Sequence, residues 1–207
     1  MTKRPGRRVL TAALLLAAAA VPASASASSL LGSLTTPVAL LSGKAAPCTN
    51  RALSQPFAAW GDRASYFPVD GGNFETGAAG WTLTGGAKLV SGGDPFVAGS
   101  AGVSLDLPAG STATAPATCV DLSAPTLRAF AGGSGSVAVS AVVGGTPFPL
   151  GTISSTGKWA PTAAFINLSS LLSILSTTGT VTTVFRFSST SGDVHVDDVY
   201  VDPYRRT

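Results

Sequence analysis

Gly71-Gly72-Asn73-Phe74-Glu75-Thr76-Gly77, closed by Trp81, and Val194-His195-Val196-Asp197-Asp198-Val199-Tyr200-Val201-Asp202 bracket a long run of short apolar alternations. The second stretch has the period-two pattern of a strand with one buried face. Taken as unbroken, it sets Val194, Val196, Asp198 and Tyr200 against His195, Asp197, Val199 and Val201. Between the brackets, Val137, Val139, Ala141 and Val143 share one strand face, and Phe185 and Phe187 oppose Val184 and Arg186. Gly85-Gly86, Gly92-Gly93, Pro108-Ala109-Gly110, Gly132-Gly133, Gly144-Gly145, Gly157 and Gly192-Asp193 punctuate the run, at the roughly 8 to 14 residue spacing of many short antiparallel strands. The fold class expected is all-β, an antiparallel β-sandwich. Leu168, Leu171, Leu172 and Leu175 alone are spaced as on a helix, which predicts one short helical connection.

Outward from this body, the N-terminus places Lys3, Arg4, Arg7 and Arg8 before an apolar run, Val9 to Val21, and then the small residues Pro22-Ala23-Ser24-Ala25-Ser26-Ala27. That is the layout of a secretory signal, with cleavage after Ala25 or Ala27. The organisation expected is a signal peptide over 1–27, a flexible leader over 28–47, an N-terminal strap over 48–68 rich in aromatics, and the β-sandwich over 69–204. No later apolar run is long enough for a membrane span in the mature protein. The protein is expected outside the cell, either free or associated with the cell wall.

Charge narrows the partners. The chain holds 13 Lys and Arg against 10 Asp and Glu, a formal +3. Four of the 13 lie in the signal, so the mature chain has 9 against 10, or −1, with His195 neutral. Nucleic acid needs a clustered basic footprint, and here the basic residues are scattered except for Arg205-Arg206. Nucleic acid is therefore excluded as a partner. Cys48 and Cys119 are the only cysteines. An exported protein favours a disulfide between them, which would pin the strap to the body.

Asn73-Phe74-Glu75 with Gly77 and Gly80-Trp81, Leu105-Asp106-Leu107-Pro108-Ala109-Gly110-Ser111, and Val196-Asp197-Asp198-Val199 resemble the jelly-roll carbohydrate-binding modules, of galactose-binding-like fold, that accompany cellulases and xylanases. Gln55-Pro56-Phe57-Ala58 with Trp60-Gly61-Asp62, together with the terminal DDVYVDPY run, is also similar to a set of secreted actinobacterial proteins. The first resemblance implies a jelly roll whose first and last strands hold a structural calcium. Its ligands would be Asn73, Glu75, a carbonyl at Ala101 or its neighbour, and Asp197, a hard-oxygen set that suits calcium.

Enzymatic constellations are incomplete. His195 is the only histidine, so no multi-histidine metal centre is possible, and no G-x-S-x-G elbow occurs. The chain is not expected to be an enzyme. For binding, a sugar needs an aromatic face and a few planar polar groups. Trp159, at the start of a strand after Gly157-Lys158, is the leading candidate. Trp60 and Tyr66 in the strap either cover the core or line a groove. Arg128 and Arg186 either point into a concave face or pair with Asp121 and Asp106. The function expected is non-catalytic binding of a polysaccharide or cell-envelope glycan. The alternative is a secreted structural or adhesive protein contacting other proteins, and amide side chains are scarce enough to keep it open.

Overall fold

A computed structural model describes residues 51–99, 101–121, 126–165 and 180–202. The helical spacing at 168–175 and Cys48 fall outside those residues. The described chain is all-β apart from a 3-10 turn at Ala58–Trp60. Its strands are β1 (Phe67–Pro68), β2 (Thr82–Thr84), β3 (Lys88–Ser91), β4 (Val103–Pro108), β5 (Thr112–Thr114), β6 (Thr118–Asp121), β7 (Thr126–Val143), β8 (Thr146–Pro161) and β9 (Thr180–Asp202).

β9 is the axis of an antiparallel sandwich. Along one edge it pairs with β7 from Val184 to Asp202, and β7 turns through Gly144-Gly145 into β8. Along the other edge it takes four short partners in succession: β6 at 180–183, β5 at 186–188, β4 at 193–196 and β1 at 200–201. β2 adds to β5, and β3 adds to β4. The early half of β9 supplies Phe185 and Phe187 and the late half Val194, Val196, Val199 and Val201 to one continuous core. Leu105, Leu107, Val137, Val139 and Trp81 belong to the same core. Trp81 also donates its indole N–H to the Asp70 carbonyl at 3.0 Å.

The alternation of β9 is broken twice, each time by one extra residue. Ser136 pairs with Ser191 and Val137 with Ser189, so Thr190 has no counterpart on β7. Further on, Asp198 and Val199 together oppose Ala129, between the pairs Arg128 with Tyr200 and Phe130 with Asp197. Asp198 sits at φ 47°, the left-handed conformation that Asp tolerates better than most residues. An unbroken alternation would have put Asp198 and Tyr200 with Val194 and Val196. The second bulge corrects this: Val199 and Val201 enter the core, and Tyr200 joins Phe57, Tyr66 and Phe130 in a second cluster. The first bulge lies beside a close crossing of β7 and β9. Gly133, Gly135 and Gly192 all have positive φ there, and a Cβ on Gly192 would collide with the Ser134 carbonyl.

The strap lies over the outer face of the late half of β9. Ser54 and Tyr66 exchange backbone hydrogen bonds of 2.9 and 2.8 Å, which closes the segment into a loop. Asp62 anchors it: Oδ1 accepts from the Ala64 N–H, while Oδ2 accepts from the Tyr66 hydroxyl (2.7 Å) and from Arg128 Nη1 (2.6 Å). Arg128 also donates from Nε and Nη2 to the Thr162 carbonyl (3.0 and 2.7 Å), and its guanidinium lies 4.2 Å from the centre of the Phe57 ring. Arg128 thus ties strap, β7 and the segment after β8 together. Replacing Gly192 with Ala is expected to lower the unfolding free energy by about 3 kcal/mol, from a positive-φ penalty plus backbone collision. Urea denaturation followed by tryptophan emission measures this.

Candidate functional site

Three buried carboxylates converge where the second bulge of β9 meets the β3–β4 loop, Gly92 to Gly102. Asp94, Asp197 and Asp198 each offer an oxygen within 4.8 Å of the others, and all three side chains are buried. Asp197 accepts from the Asp94 N–H through Oδ2 (3.0 Å) and from the Asp198 N–H through Oδ1 (2.8 Å). Asp94 Oδ1 accepts from the N–H groups of Phe96 and Val97 at 2.8 and 3.1 Å. Its Oδ2 is buried and has no hydrogen-bond partner.

Burial raises the Asp197 carboxyl to about 7. The two amide hydrogen bonds lower it, and the charges of Asp94 and Glu75 raise it again. Like charges this close in a buried place are costly unless a proton or a cation intervenes. The Tyr200 hydroxyl, 3.4 Å from Asp198 Oδ1, is also pushed up by burial and then by Asp198, so it stays a donor. An orphaned buried oxygen among three hard carboxylates fits a calcium ion.

The residues expected to hold calcium take different places. Asp197 is in the cluster. Glu75 is near enough for its charge to be felt there, but its Oε1 accepts from the N–H groups of Gly102 and Val103 at 2.9 and 3.1 Å. It clamps the end of the β3–β4 loop, and Gly102 has no Cβ to obstruct it. Asn73 and Ala101 are exposed, and the Ala101 carbonyl accepts from the Gly93 N–H at 3.0 Å. Asp94 was missed, although Gly92-Gly93-Asp94-Pro95 carries the composition of a turn that uses a carboxylate to cap its own amides.

An aromatic face adjoins the cluster through the same loop. Phe96, two residues after Asp94, meets Trp60 of the strap edge-on, with ring centres 4.9 Å apart. Both rest on Phe130, each at 5.5 Å. Trp60 and Phe96 are 43% and 45% exposed, whereas Phe130 beneath them is fully buried. Trp159 packs against the cluster of Phe57, Tyr66, Phe130 and Tyr200 and covers Gly132, whose missing Cβ leaves room for the indole.

Of the other residues expected to bind a ligand, Tyr66 is buried with its hydroxyl on Asp62, and Arg128 is committed to Asp62 and Thr162. Arg186 stands on the early half of β9, opposite Thr114 and Ser140, away from the aromatic face. Arg128 takes Asp62 as its partner where the sequence offered Asp106, and the side chain of Asp121 falls outside the described residues. Asp106 lies instead against Lys88 (3.6 Å) and His195 (3.5 Å). A cleft of about 290 Å³ follows β8, with Thr152, Ser154, Thr156 and Lys158 along it.

No family model matches the chain, and no curated protein matches it. Among solved structures it is similar to a carbohydrate-binding module of family 61 in complex with β-1,4-galactotriose (20% identity, 66% of this chain and 96% of that one, TM-score 0.40). It is also similar to a family 6 module from Clostridium stercorarium in complex with cellobiose (15%, 60% and 87%, TM-score 0.41). A third is the K3 cleaved adhesin domain of Lys-gingipain from Porphyromonas gingivalis (16%, 62% and 95%, TM-score 0.40). Carbohydrate-binding modules are thus among the structures this chain resembles, as its motifs implied. Likeness at this level carries no argument about the site, whose chemistry rests on its own residues.

The raised Asp197 carboxyl makes a pH prediction for protein kept in chelator. A group bound more tightly to its proton in the folded state stabilises fully below its unfolded value near 4, and that contribution fades as pH rises to about 7. Native protein should therefore lose stability over this window, by a few kcal/mol, relative to Asp197→Asn, which cannot titrate there. Paired denaturation curves at pH 4, 5.5 and 7 measure the difference in slope.

Proposed function

We propose that the mature protein is a secreted, non-catalytic binding protein that uses the Trp60–Phe96–Trp159 face to hold a polysaccharide or cell-envelope glycan, with a structural calcium at Asp94, Asp197 and Asp198. The observation that carries the glycan reading is the pair of exposed rings, Trp60 and Phe96, set on the buried Phe130. Large apolar rings are rarely left in water without use, and a pyranose offers the flat C–H face that such rings accept. The basic, apolar and small-residue order of the N-terminus supports export.

Calcium and the aromatic face are linked in this reading. Phe96 rides on a loop whose one end is fastened by Asp94 to Asp197 and whose other end is fastened by Glu75. An ion at the three carboxylates would neutralise their repulsion and hold the loop in its binding position, without entering any reaction. Tyr66 and Arg128 support the face from below. A Cys48–Cys119 disulfide would add a second fastening for the strap, expected to contribute a few kcal/mol through the loop it closes.

The test uses the mature protein against a panel of insoluble polysaccharides and purified cell wall. Retention on one of them should fall by about tenfold or more in Trp60→Ala and in Phe96→Ala, assayed well below the melting temperature of each variant because both rings also cover Phe130. Retention unchanged in both variants overturns the aromatic face as the ligand site. No retention on any surface overturns the glycan reading and favours the adhesive one. Separately, chelation should lower the melting temperature by the equivalent of about 2.7 kcal/mol when the calcium it removes was present at 100 times its Kd. Asp94→Ala should abolish that shift.

A further inference from the structure

We propose a second cation site on the outer face of the late half of β9, made by His195, Asp106 and Asp193, which takes a borderline divalent transition ion such as Zn2+, Ni2+ or Cu2+. It is distinct from the three buried carboxylates, and it stands whether or not the protein binds glycans.

The strand register assembles it. Asp106 of β4 is the direct cross-strand partner of His195, and Pro108 is the partner of Asp193. This ladder runs without a break from 193 to 196, so Asp193 and His195, two residues apart, share a face. One ligand atom from each of the three residues lies within 4.8 Å of the others.

Two observations point to an ion among them. Asp106 has a side chain only 6% exposed, and its Oδ1 is buried without a hydrogen-bond partner. That same oxygen is 3.5 Å from His195 Nε2, which is long for a hydrogen bond. Two ligands bound tetrahedrally to one zinc, each at its usual length, stand about 3.4 Å apart. The separation is that of two ligands sharing an ion.

The donor set selects the ion. An imidazole nitrogen with two carboxylates suits zinc, nickel and copper, whereas calcium and magnesium prefer oxygen alone. His195 is 33% exposed at its side chain and Asp193 is exposed, so an ion can enter from solvent. Three protein ligands leave at least one position for water or an incoming donor. Lys88 is the opposing element. Its ammonium is 3.6 Å from Asp106 Oδ2, leaving Oδ1 for the ion but adding a like charge beside it. At 65% side-chain exposure that contact is worth little and yields readily.

Trp159 supplies a reporter, since its ring centre is 6.2 Å from that of His195. Copper or nickel held by this imidazole quenches indole emission at such range. The test titrates tag-free protein with Cu2+ by fluorescence and with Zn2+ by calorimetry, in excess calcium so that the buried carboxylates do not compete. The expected result is one-to-one binding, with quenching that disappears in Trp159→Phe while Zn2+ binding persists. His195→Gln and Asp193→Asn should each weaken Zn2+ binding by about tenfold or more, and Lys88→Gln should strengthen it severalfold. Asp193 is exposed, so its variant carries the test should His195→Gln fold poorly. Absence of Zn2+ binding, or binding unchanged in the Asp193 and His195 variants, overturns the site.

Discussion

The constraint on which this structure depends is the continuous pairing of one 23-residue strand, β9, with β7 on one edge and four short strands on the other. A flat strand of this length could not serve two layers. Two single-residue insertions, at Thr190 and at Asp198, break its period and re-aim its side chains, because each extra residue in a ladder reverses which face the following side chains occupy. Phe185 and Phe187 before the first bulge, Val194 and Val196 after it, and Val199 and Val201 after the second can then all reach one core.

The second bulge does more than preserve the core. By turning Asp198 into a left-handed conformation it leaves two consecutive aspartates at the outer surface of the sheet, under the β3–β4 loop, where Asp94 completes the group. The geometry that satisfies the apolar interior therefore creates the densest buried charge in the described residues. It also sends Tyr200 outward to meet Phe57 and Phe130, which gives the strap something apolar to sit on. The carboxylate group and the apolar seat of the strap follow from this one inserted residue, and the core needs it together with the first.

Arg128 and Asp62 have a related role on the strap side. A buried pair like this one contributes little net stability but is expensive to break, since either partner left alone is a buried charge. Its value is positional: three nitrogens in a fixed fork reach Asp62 and Thr162 at once, so the strap has one resting place, and Trp60 is delivered beside Phe96. The two exposed rings come from segments 36 residues apart in sequence, brought together by a carboxylate on each side, Asp62 beneath the strap and Asp94 beneath the loop.

The amino-acid sequence by itself determined the all-β class, the strand faces at Val137 to Val143 and at Phe185 and Phe187, and the aromatic density of the segment ahead of the body. These are set by local pattern: alternation with a period of two, turn residues, and clustered rings. It offered Asp197 as a candidate calcium ligand, and Trp60 and Trp159 as candidate ligand-binding rings. Only the tertiary structure decided that Asp94 and Asp198 stand with Asp197 while Glu75 clamps a loop, that Phe96 joins Trp60, and that Asp106 faces His195. The reason is physical. Local pattern carries no record of a one-residue bulge, which costs little where it occurs yet reverses the facing of the following side chains, and contacts between residues a hundred positions apart depend on that facing.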